Sequence, residues 1–118
     1  MKKMELSSFL EQLNQSPESI EFEHTITIIE ENYEFTPAKF INGATVNEEN
    51  QNNGSCKIFA FGKLLDLTEP QTLACFGKFY RVDVLQNPDN DDHQNIRNFM
   101  TSGWKGISFE SNALSVKE

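Results

Sequence analysis

GSCKIFAFGKLLDL, at residues 54–67, is the stretch that decides the fold, because it is apolar around most of a helical circumference. Ser55 stands where it would cap a helix that begins at this point. The apolar side chains of this helix are Cys56, Phe59, Ala60 and Leu64, with Ile58, Phe61, Leu65 and Leu67 beside them. A helix that is apolar on nearly all sides is a buried one, so we expect it at the centre of the molecule.

Two helical patterns precede this central helix. The first helix is indicated by apolar residues at three- and four-residue spacing, which are Met4, Leu6, Phe9, Leu10 and Leu13. Ser16 is placed to cap a second helix, with Pro17 at its first position. Residues 22–34 allow two interpretations, because Ile26 and Ile28 alternate as in a strand. A helical stripe runs through the same segment at Phe22, Ile26, Ile29 and Tyr33. The longer period and the preceding cap favour a helix.

Turn and capping signals flank the central helix. Asn42-Gly43, between two short apolar runs, predicts a small β-hairpin at the periphery, and the polar residues 47–54 predict a loop. Thr68-Glu-Pro-Gln71 has the pattern of a capping box. A helical stripe follows the box and ends at Asn87-Pro88; its members are Leu73, Phe76, Tyr80 and Val84.

The segment DDHQNIRNFMTSGW, at residues 91–104, predicts one more helix. Asp91 or Asp92 would cap its start, where a carboxylate accepts from free amides and complements the helix dipole. Gly103 would end it in a left-handed conformation, and Trp104 with the following GISF would return as an extended segment. The side chains expected to face the core are those of Ile96, Phe99 and Met100.

Together these elements predict an α+β, helix-dominated fold. It has four to five helices around one core, with a short β-hairpin or an extended C-terminal segment. At 118 residues the chain has the usual size of one domain. We therefore expect a single domain over 1–118, with the core at about 20–110 and an N-terminal amphipathic helix or export segment at 1–15.

The charge balance excludes several classes of partner. Eighteen acidic against ten basic side chains give a net charge of −8, which argues against nucleic acid and anionic membranes. The N-terminus MKKMELSSFLEQ lacks the apolar region of a Sec signal peptide, and no apolar run approaches a transmembrane length. Cys56 and Cys75 lie among apolar neighbours, as reduced thiols do in a cytosolic protein. We expect a cytoplasmic monomer or weak homo-oligomer.

The sequence contains no recognisable set of catalytic residues. The sequence has no P-loop and no G-x-G-x-x-G turn. DNDDH resembles the start of a calcium loop, but Gln94 and Met100 occupy the positions where its glycine and glutamate belong. We expect no cofactor. The sequence favours a protein without catalytic activity, but it does not exclude an enzyme. His24 and His93, with neighbouring carboxylates or thiols, leave a metal site as an alternative.

Helix capping and core packing account for most residues of the segment 91–104, but not for His93, Asn95 and Arg97. His93 and Arg97 share a helix face, whereas Asn95 points elsewhere. A polar pocket or a buried hydrogen-bond network would account for them. The candidate polar pocket consists of His93, Asn95, Arg97, Trp104, His24 and Lys57.

Four segments of the chain resemble the HopJ type III effector family. They are HTITIIEENYEFTPAKFING (24–43), GSCKIFAFGKLLDL (54–67), TLACFGKFYRVDVL (72–85) and DHQNIRNFMTSGWKGISF (92–109). The resemblance implies delivery through a type III secretion apparatus, and it carries no catalytic residues with it. The polar segment LSSFLEQLNQSPES, at 6–19, is compatible with an export signal and equally with an ordinary first helix.

Two functions follow as expectations. The resemblance implies an effector-like protein that binds a host or bacterial protein; it would be cytoplasmic and secreted through a type III apparatus. The alternative is a cytoplasmic small-ligand or metal-binding domain, or an enzyme, with a polar pocket near His93, Arg97 and Trp104.

Overall fold

The computed structural model of the protein describes residues 2–116, and the side chains of residues 6–116. The α-helices in this part of the chain are α1 (Lys2–Gln15), α2 (Phe22–Asn32), α3 (Asn53–Leu64), α4 (Glu69–Ala74) and α5 (Gln94–Ser102). Short 3₁₀ turns lie at Pro17–Ser19 and Gly103–Gly106, and a π-helical segment at Phe79–Val84. Among the described residues, no helix combines the length and the apolar character that crossing a membrane requires.

The strands form two small antiparallel sheets. They are β1 (Tyr33–Phe35), β2 (Phe40–Asn42), β3 (Thr45–Asn47), β4 (Ile107–Phe109) and β5 (Leu114–Val116). One sheet pairs β1 with β5, and the other has the order β3-β2-β4. The predicted helix-dominated α+β fold is confirmed, and the chain has both a hairpin and an extended C-terminal segment.

Helix α3 lies at the centre of the core, as its apolar circumference predicts. Cys56, Ile58, Phe59 and Phe61 are completely buried. The helix begins at Asn53 and its N-cap is Asn52, so the prediction that Ser55 caps it is wrong. Asn52 takes a left-handed conformation, with φ of 52°, which asparagine tolerates better than most residues.

Residues 2–35 form helix, turn, helix and strand. The predicted helix at 22–34 is confirmed over Phe22–Asn32, after which Tyr33 turns to extended geometry and enters β1. The helix expected from Ser16 is only the 3₁₀ turn Pro17–Ser19, without a side-chain cap. Phe9 of α1 and Leu114 of β5 belong to the hydrophobic core, which thus extends beyond residues 20–110.

The predicted hairpin is confirmed, but it is not peripheral. Asn42 pairs with Thr45, so the two turn residues are Gly43 and Ala44 and not the predicted Asn42 and Gly43; Gly43 has a positive φ of 62°. β2 is the middle strand of its sheet, and Phe40 and Asn42 are completely buried. The sequence did not show the partner strand β4, which covers the second edge of β2.

The capping box at α4 is confirmed. The Thr68 hydroxyl accepts from the Gln71 backbone amide at 3.2 Å, and the Gln71 side-chain oxygen Oε1 accepts from the Thr68 backbone amide at 3.0 Å. The stripe that follows the box is divided, with Leu73 in α4, Phe76 in the turn after it, and Tyr80 and Val84 in the π-helical segment. Gly77 separates α4 from the π-helical segment with a φ of 61°, and a Cβ there would lie 2.6 Å from the Phe22 amide nitrogen.

Helix α5 differs from its prediction at both ends. Its N-cap is His93, so neither Asp91 nor Asp92 caps it. Ile96 and Phe99 are buried, but Met100 is 44% exposed. The buried face of α5 includes Asn95 in place of Met100. Gly103 has a positive φ of 62°, but its ψ of −154° is not that of the predicted left-handed helical conformation. Trp104 lies in a 3₁₀ turn, and the extended segment begins only at Ile107.

Candidate functional site

An open cleft of about 340 Å³ lies where α3 and α5 begin. Its polar side comes from the starts of the two helices, chiefly Asn52, Ser55, His93 and Asn95, with Thr45 of β3. Its apolar side comes from three phenyl rings, those of Phe22, Phe76 and Phe79. We call this space the His93 cleft.

His93 is held in a fixed orientation at the cleft. Its Nε2 lies 3.0 Å from the Asp83 carboxylate, and its ring centroid lies 5.2 Å from that of Phe79. A carboxylate accepts hydrogen bonds, so in the neutral imidazole the proton is on Nε2 and the lone pair is on Nδ1. The ring therefore offers an acceptor atom whose identity is set by Asp83.

The backbone is unusual at two positions of the cleft. Asn52 and His93 both have a φ of 52°, in the left-handed region that residues other than glycine rarely adopt. Each is the N-cap of its helix, and neither makes a side-chain capping bond. Such conformations cost free energy and are concentrated at functional sites. The His93 cleft is therefore the first place in the described chain to look for binding.

A network of buried asparagines supports the wall of the cleft. The Asn95 side-chain oxygen Oδ1 accepts from the side-chain amides of Asn42 and Asn47, both at 3.0 Å. The Asn47 oxygen in turn accepts from Asn95 at 3.0 Å and from Asn52 at 2.7 Å. The network joins the β2–β3 hairpin to the first turn of α5 and to the N-cap of α3. It explains why α5 turns a polar residue inward.

Arg97 is occupied in organising the loop that precedes α5. It donates to the backbone carbonyls of Asn87, Pro88 and Asp92, at 3.0, 3.2 and 2.6 Å. It also donates to the Asp92 carboxylate at 2.7 Å, and this side-chain hydrogen bond lowers the pKa of Asp92. Arg97 thus closes the loop and is not among the residues that line the His93 cleft.

Trp104 lies at a second, separate cavity. This space of about 270 Å³ is lined by Trp104 together with Gly62, Lys63, Asp66, Leu67 and Ile107. The indole packs edge-on against Phe99, with ring centroids 5.0 Å apart, and its Nε1 donates to the Leu67 carbonyl at 3.0 Å. These contacts hold the indole in place.

The other two candidate residues also lie elsewhere. The His24 ring packs edge-on against Phe9, with centroids 5.1 Å apart. Lys57 Nζ lies 3.1 Å from a Glu30 carboxylate oxygen and 5.0 Å from the centre of the Phe35 ring. Of the six residues predicted as one pocket, only His93 and Asn95 line the same cleft.

Sequence reasoning missed two of the phenyl rings that line the cleft and the carboxylate that orients His93. Phe22 comes from α2, and Phe79 and Asp83 come from the π-helical segment. Nothing local marks these three residues, because only the tertiary fold brings them to His93. Asn52 had a weak signal, since it lies in the turn-rich run NQNNG.

The cysteines and possible metal ligands do not add a reactive centre to the cleft. Burial raises the pKa of Cys75 to about 12 and also raises that of Cys56, which keeps both thiols protonated. Between residues 6 and 116, no three His, Cys, Asp or Glu side chains are grouped as metal ligands.

Fold and cleft together define a small helix-dominated α+β protein with an open cleft at the starts of α3 and α5. The family model described as HopJ type III effector protein matches residues 6–114, so the chain belongs to the HopJ type III effector family. It is similar to a solved structure, the crystal structure of the unknown-function protein VPA0580, with 63% identity and a TM-score of 0.94. The similarity covers 95% of this chain and 93% of that one. Among curated proteins, no significant match is found.

Proposed function

We propose that this protein is a type III effector-like protein that acts by binding a partner protein. The observation that carries the proposal is membership of the HopJ type III effector family over residues 6–114. Proteins of the effector class act on partners after delivery, and binding a partner requires no catalytic constellation.

The outer face of the three-stranded sheet suits a protein contact. Ile41 and Val46 pair across β2 and β3, and they are 39% and 49% exposed. β3 is the last strand of its sheet, and an edge strand with exposed apolar side chains is a common site of pairing with another chain. With a net charge of −8, the protein favours a partner that presents a basic surface.

Delivery is tested with the full chain fused at its C-terminus to a translocation reporter. We expect a reporter signal inside host cells when the bacterial strain has a working type III apparatus. The same fusion in a strain with an inactive secretion ATPase is the matched control. A signal that is equal in both strains, or absent from both, would contradict the effector part of the proposal.

Binding is tested with an edge-strand variant. Val46→Lys places a charge on β3, and a Lys on an edge strand discourages pairing with another chain. Because Val46 is exposed, the fold should tolerate the substitution. We expect the wild-type chain to retain a partner from host lysate that Val46→Lys loses. Met100→Lys, at a residue of similar exposure on α5, is the matched control and should retain it. If Val46→Lys retains the partner equally well, β3 is not the contact surface.

A second candidate function, binding of a small ligand, is favoured by the His93 cleft. The observation in its favour is an oriented histidine in a left-handed conformation beside three phenyl rings. The sequence predicts a pocket near His93, Arg97 and Trp104, and of these three residues only His93 lines this cleft. A fragment screen by NMR in which no compound shifts the amide signals of residues 93–96 would contradict this candidate.

A further inference from the structure

We propose that the His93 cleft binds a planar aromatic group that carries a hydrogen-bond donor, with phenol as the simplest example. The proposal rests on the second candidate function, that the cleft is a ligand site, and it names the chemical class of the ligand. The shape, the charge and the hydrogen-bonding capacity of the cleft each limit that class.

The apolar side of the cleft favours an aromatic ring. Phe22 and Phe79 meet edge-to-face, with centroids 4.9 Å apart and planes at 75°, and Phe76 lines the same space. Inserted rings gain from edge-to-face and offset contacts with such side chains beyond the area that they bury. The cleft volume of about 340 Å³ is near the lower end of the range for ligand sites, roughly 300–1,000 Å³, and suits one or two rings.

The charge of the lining favours a neutral group. Apart from His93, the side chains that line the cleft are apolar, hydroxyl or amide groups, and none belongs to Lys, Arg, Asp or Glu. A charged ligand would lose water without gaining an ionic partner from these side chains or from a neutral His93, which costs free energy. A neutral ring with one polar substituent avoids that cost.

The histidine determines which substituent is bound. In the neutral imidazole Asp83 accepts from Nε2 and Nδ1 keeps a lone pair, and Nδ1 has no hydrogen-bond partner among the described side chains. An O–H or N–H on the ring would donate to that lone pair. A ligand with only an ether oxygen at the same position would place two acceptors against each other.

The walls of the cleft are fixed before a ligand arrives. The asparagine network holds Asn52 and Asn95, and Asp83 holds the His93 ring. A preformed site avoids the loss of side-chain entropy on binding. The left-handed conformations of Asn52 and His93 are then explained as the geometry that aims both helix starts at one space.

The ligand chemistry has two sources that an experiment separates. A phenol ring comes either from a free small molecule or from a tyrosine side chain of a peptide. Phenol and N-acetyl-tyrosinamide represent these sources. Tighter binding of N-acetyl-tyrosinamide identifies the peptide as the source, and tighter binding of phenol identifies the free molecule; both outcomes support the proposed class.

The test is a titration of the ¹⁵N-labelled full chain, followed by NMR. We expect phenol to shift the amide signals of residues 52–55 and 93–96, and anisole, its methyl ether, to bind at least about tenfold more weakly. Equal affinity for phenol and anisole overturns the proposal. If benzoate or cyclohexanol shifts these signals and phenol does not, the class is wrong although the cleft is a ligand site. If no compound shifts them, both statements fail.

Two variants test the role of the histidine. His93→Asn removes the ring, while asparagine tolerates the left-handed backbone, and we expect at least about a tenfold loss of phenol affinity. Asp83→Asn leaves the ring but releases its tautomer, so we expect a loss of about threefold or more. His24→Asn, at the histidine that packs on Phe9, is the matched control and should bind as the wild type does. Wild-type affinity in whichever of the two cleft variants remains folded overturns the proposal.

Discussion

The two ends of α5 differ in kind, although their residues are close neighbours in the sequence. At the N-terminal end, His93 has a left-handed backbone and lines an open cleft. At the C-terminal end, Trp104 is packed against Phe99 and bonded to the Leu67 carbonyl. The first end leaves polar groups available, whereas the second uses its polar group to fix a ring.

Helix geometry explains why one sequence cluster gives two sites. α5 has nine residues, and at a rise of 1.5 Å per residue its ends are about 13 Å apart. Residues that precede and follow such a helix cannot line one small pocket unless the chain folds back. Here it does not, because Gly103–Gly106 turns Trp104 toward α3 and the Leu67 backbone.

The largest effect is expected at the packed end. Trp104→Ala should lower the free energy of unfolding by about 3 kcal/mol, because it removes ring contacts with Phe59 and Phe99 and leaves the Leu67 carbonyl without its donor. Urea denaturation followed by circular dichroism measures it, since the variant has no tryptophan fluorescence.

Trp104→Phe is the matched control, because it keeps a ring and loses only the indole donor. It should cost about 1 kcal/mol. A loss below about 1 kcal/mol for Trp104→Ala would show that the indole does not contribute to packing, and the contrast between the two ends would disappear.

The next effect is expected in the asparagine network beneath the open end. Asn95→Ala should cost about 2 kcal/mol, because the buried amides of Asn42 and Asn47 lose their hydrogen bonds to the Asn95 side chain and the Asn47 oxygen loses one of its two donors. Asn98→Ala is the comparison variant and should cost less, since Asn98 is only partly buried and bonds to Asn42 and Thr45 at the hairpin. Equal losses in the two variants would show that the buried network contributes no more to the free energy of unfolding than the partly buried bonds of Asn98.

A smaller effect is expected from the loop before α5. Arg97→Met keeps much of the side-chain length but removes the donors to three backbone carbonyls, and it should cost about 1 kcal/mol. Hydrogen exchange should show faster opening of residues 87–92 in the variant and unchanged protection in α3. Loss of protection in α3 would mean that Arg97 supports the core rather than the loop.

The sequence revealed what depends on neighbours along the chain. The buried circumference of α3, the capping box at Thr68 and the hairpin turn at Gly43 were all predictable, because each follows from local spacing or turn chemistry. The break at Gly77 was not predictable. It arises from the approach of the α2 backbone, which lies more than fifty residues away in the chain.

The cleft was predictable only in part, for the same reason. His93 and Asn95 were found because helix capping and packing left them unexplained. Asp83 and Phe22 were missed because their role depends on which elements meet in space. Arg97 was predicted in the candidate pocket because nothing in the sequence shows that the carbonyls of residues 87, 88 and 92 converge on it.

The smallest effect concerns the charge at the open end of α5. The hydrogen bond from Arg97 is the main cause that lowers the pKa of Asp92 from its ordinary value of 3.8. A carboxyl whose folded-state pKa is lowered stabilises the fold above its unfolded pKa, and this contribution is lost as the pH falls through the folded value.

Thermal melting of the wild type and of Asp92→Asn should therefore differ at pH 6 and converge toward pH 2.5. The difference should be small because Asp92 is exposed and solvent screens the pair. A difference that stays constant over this range would show that Asp92 acts through its shape and not through its charge.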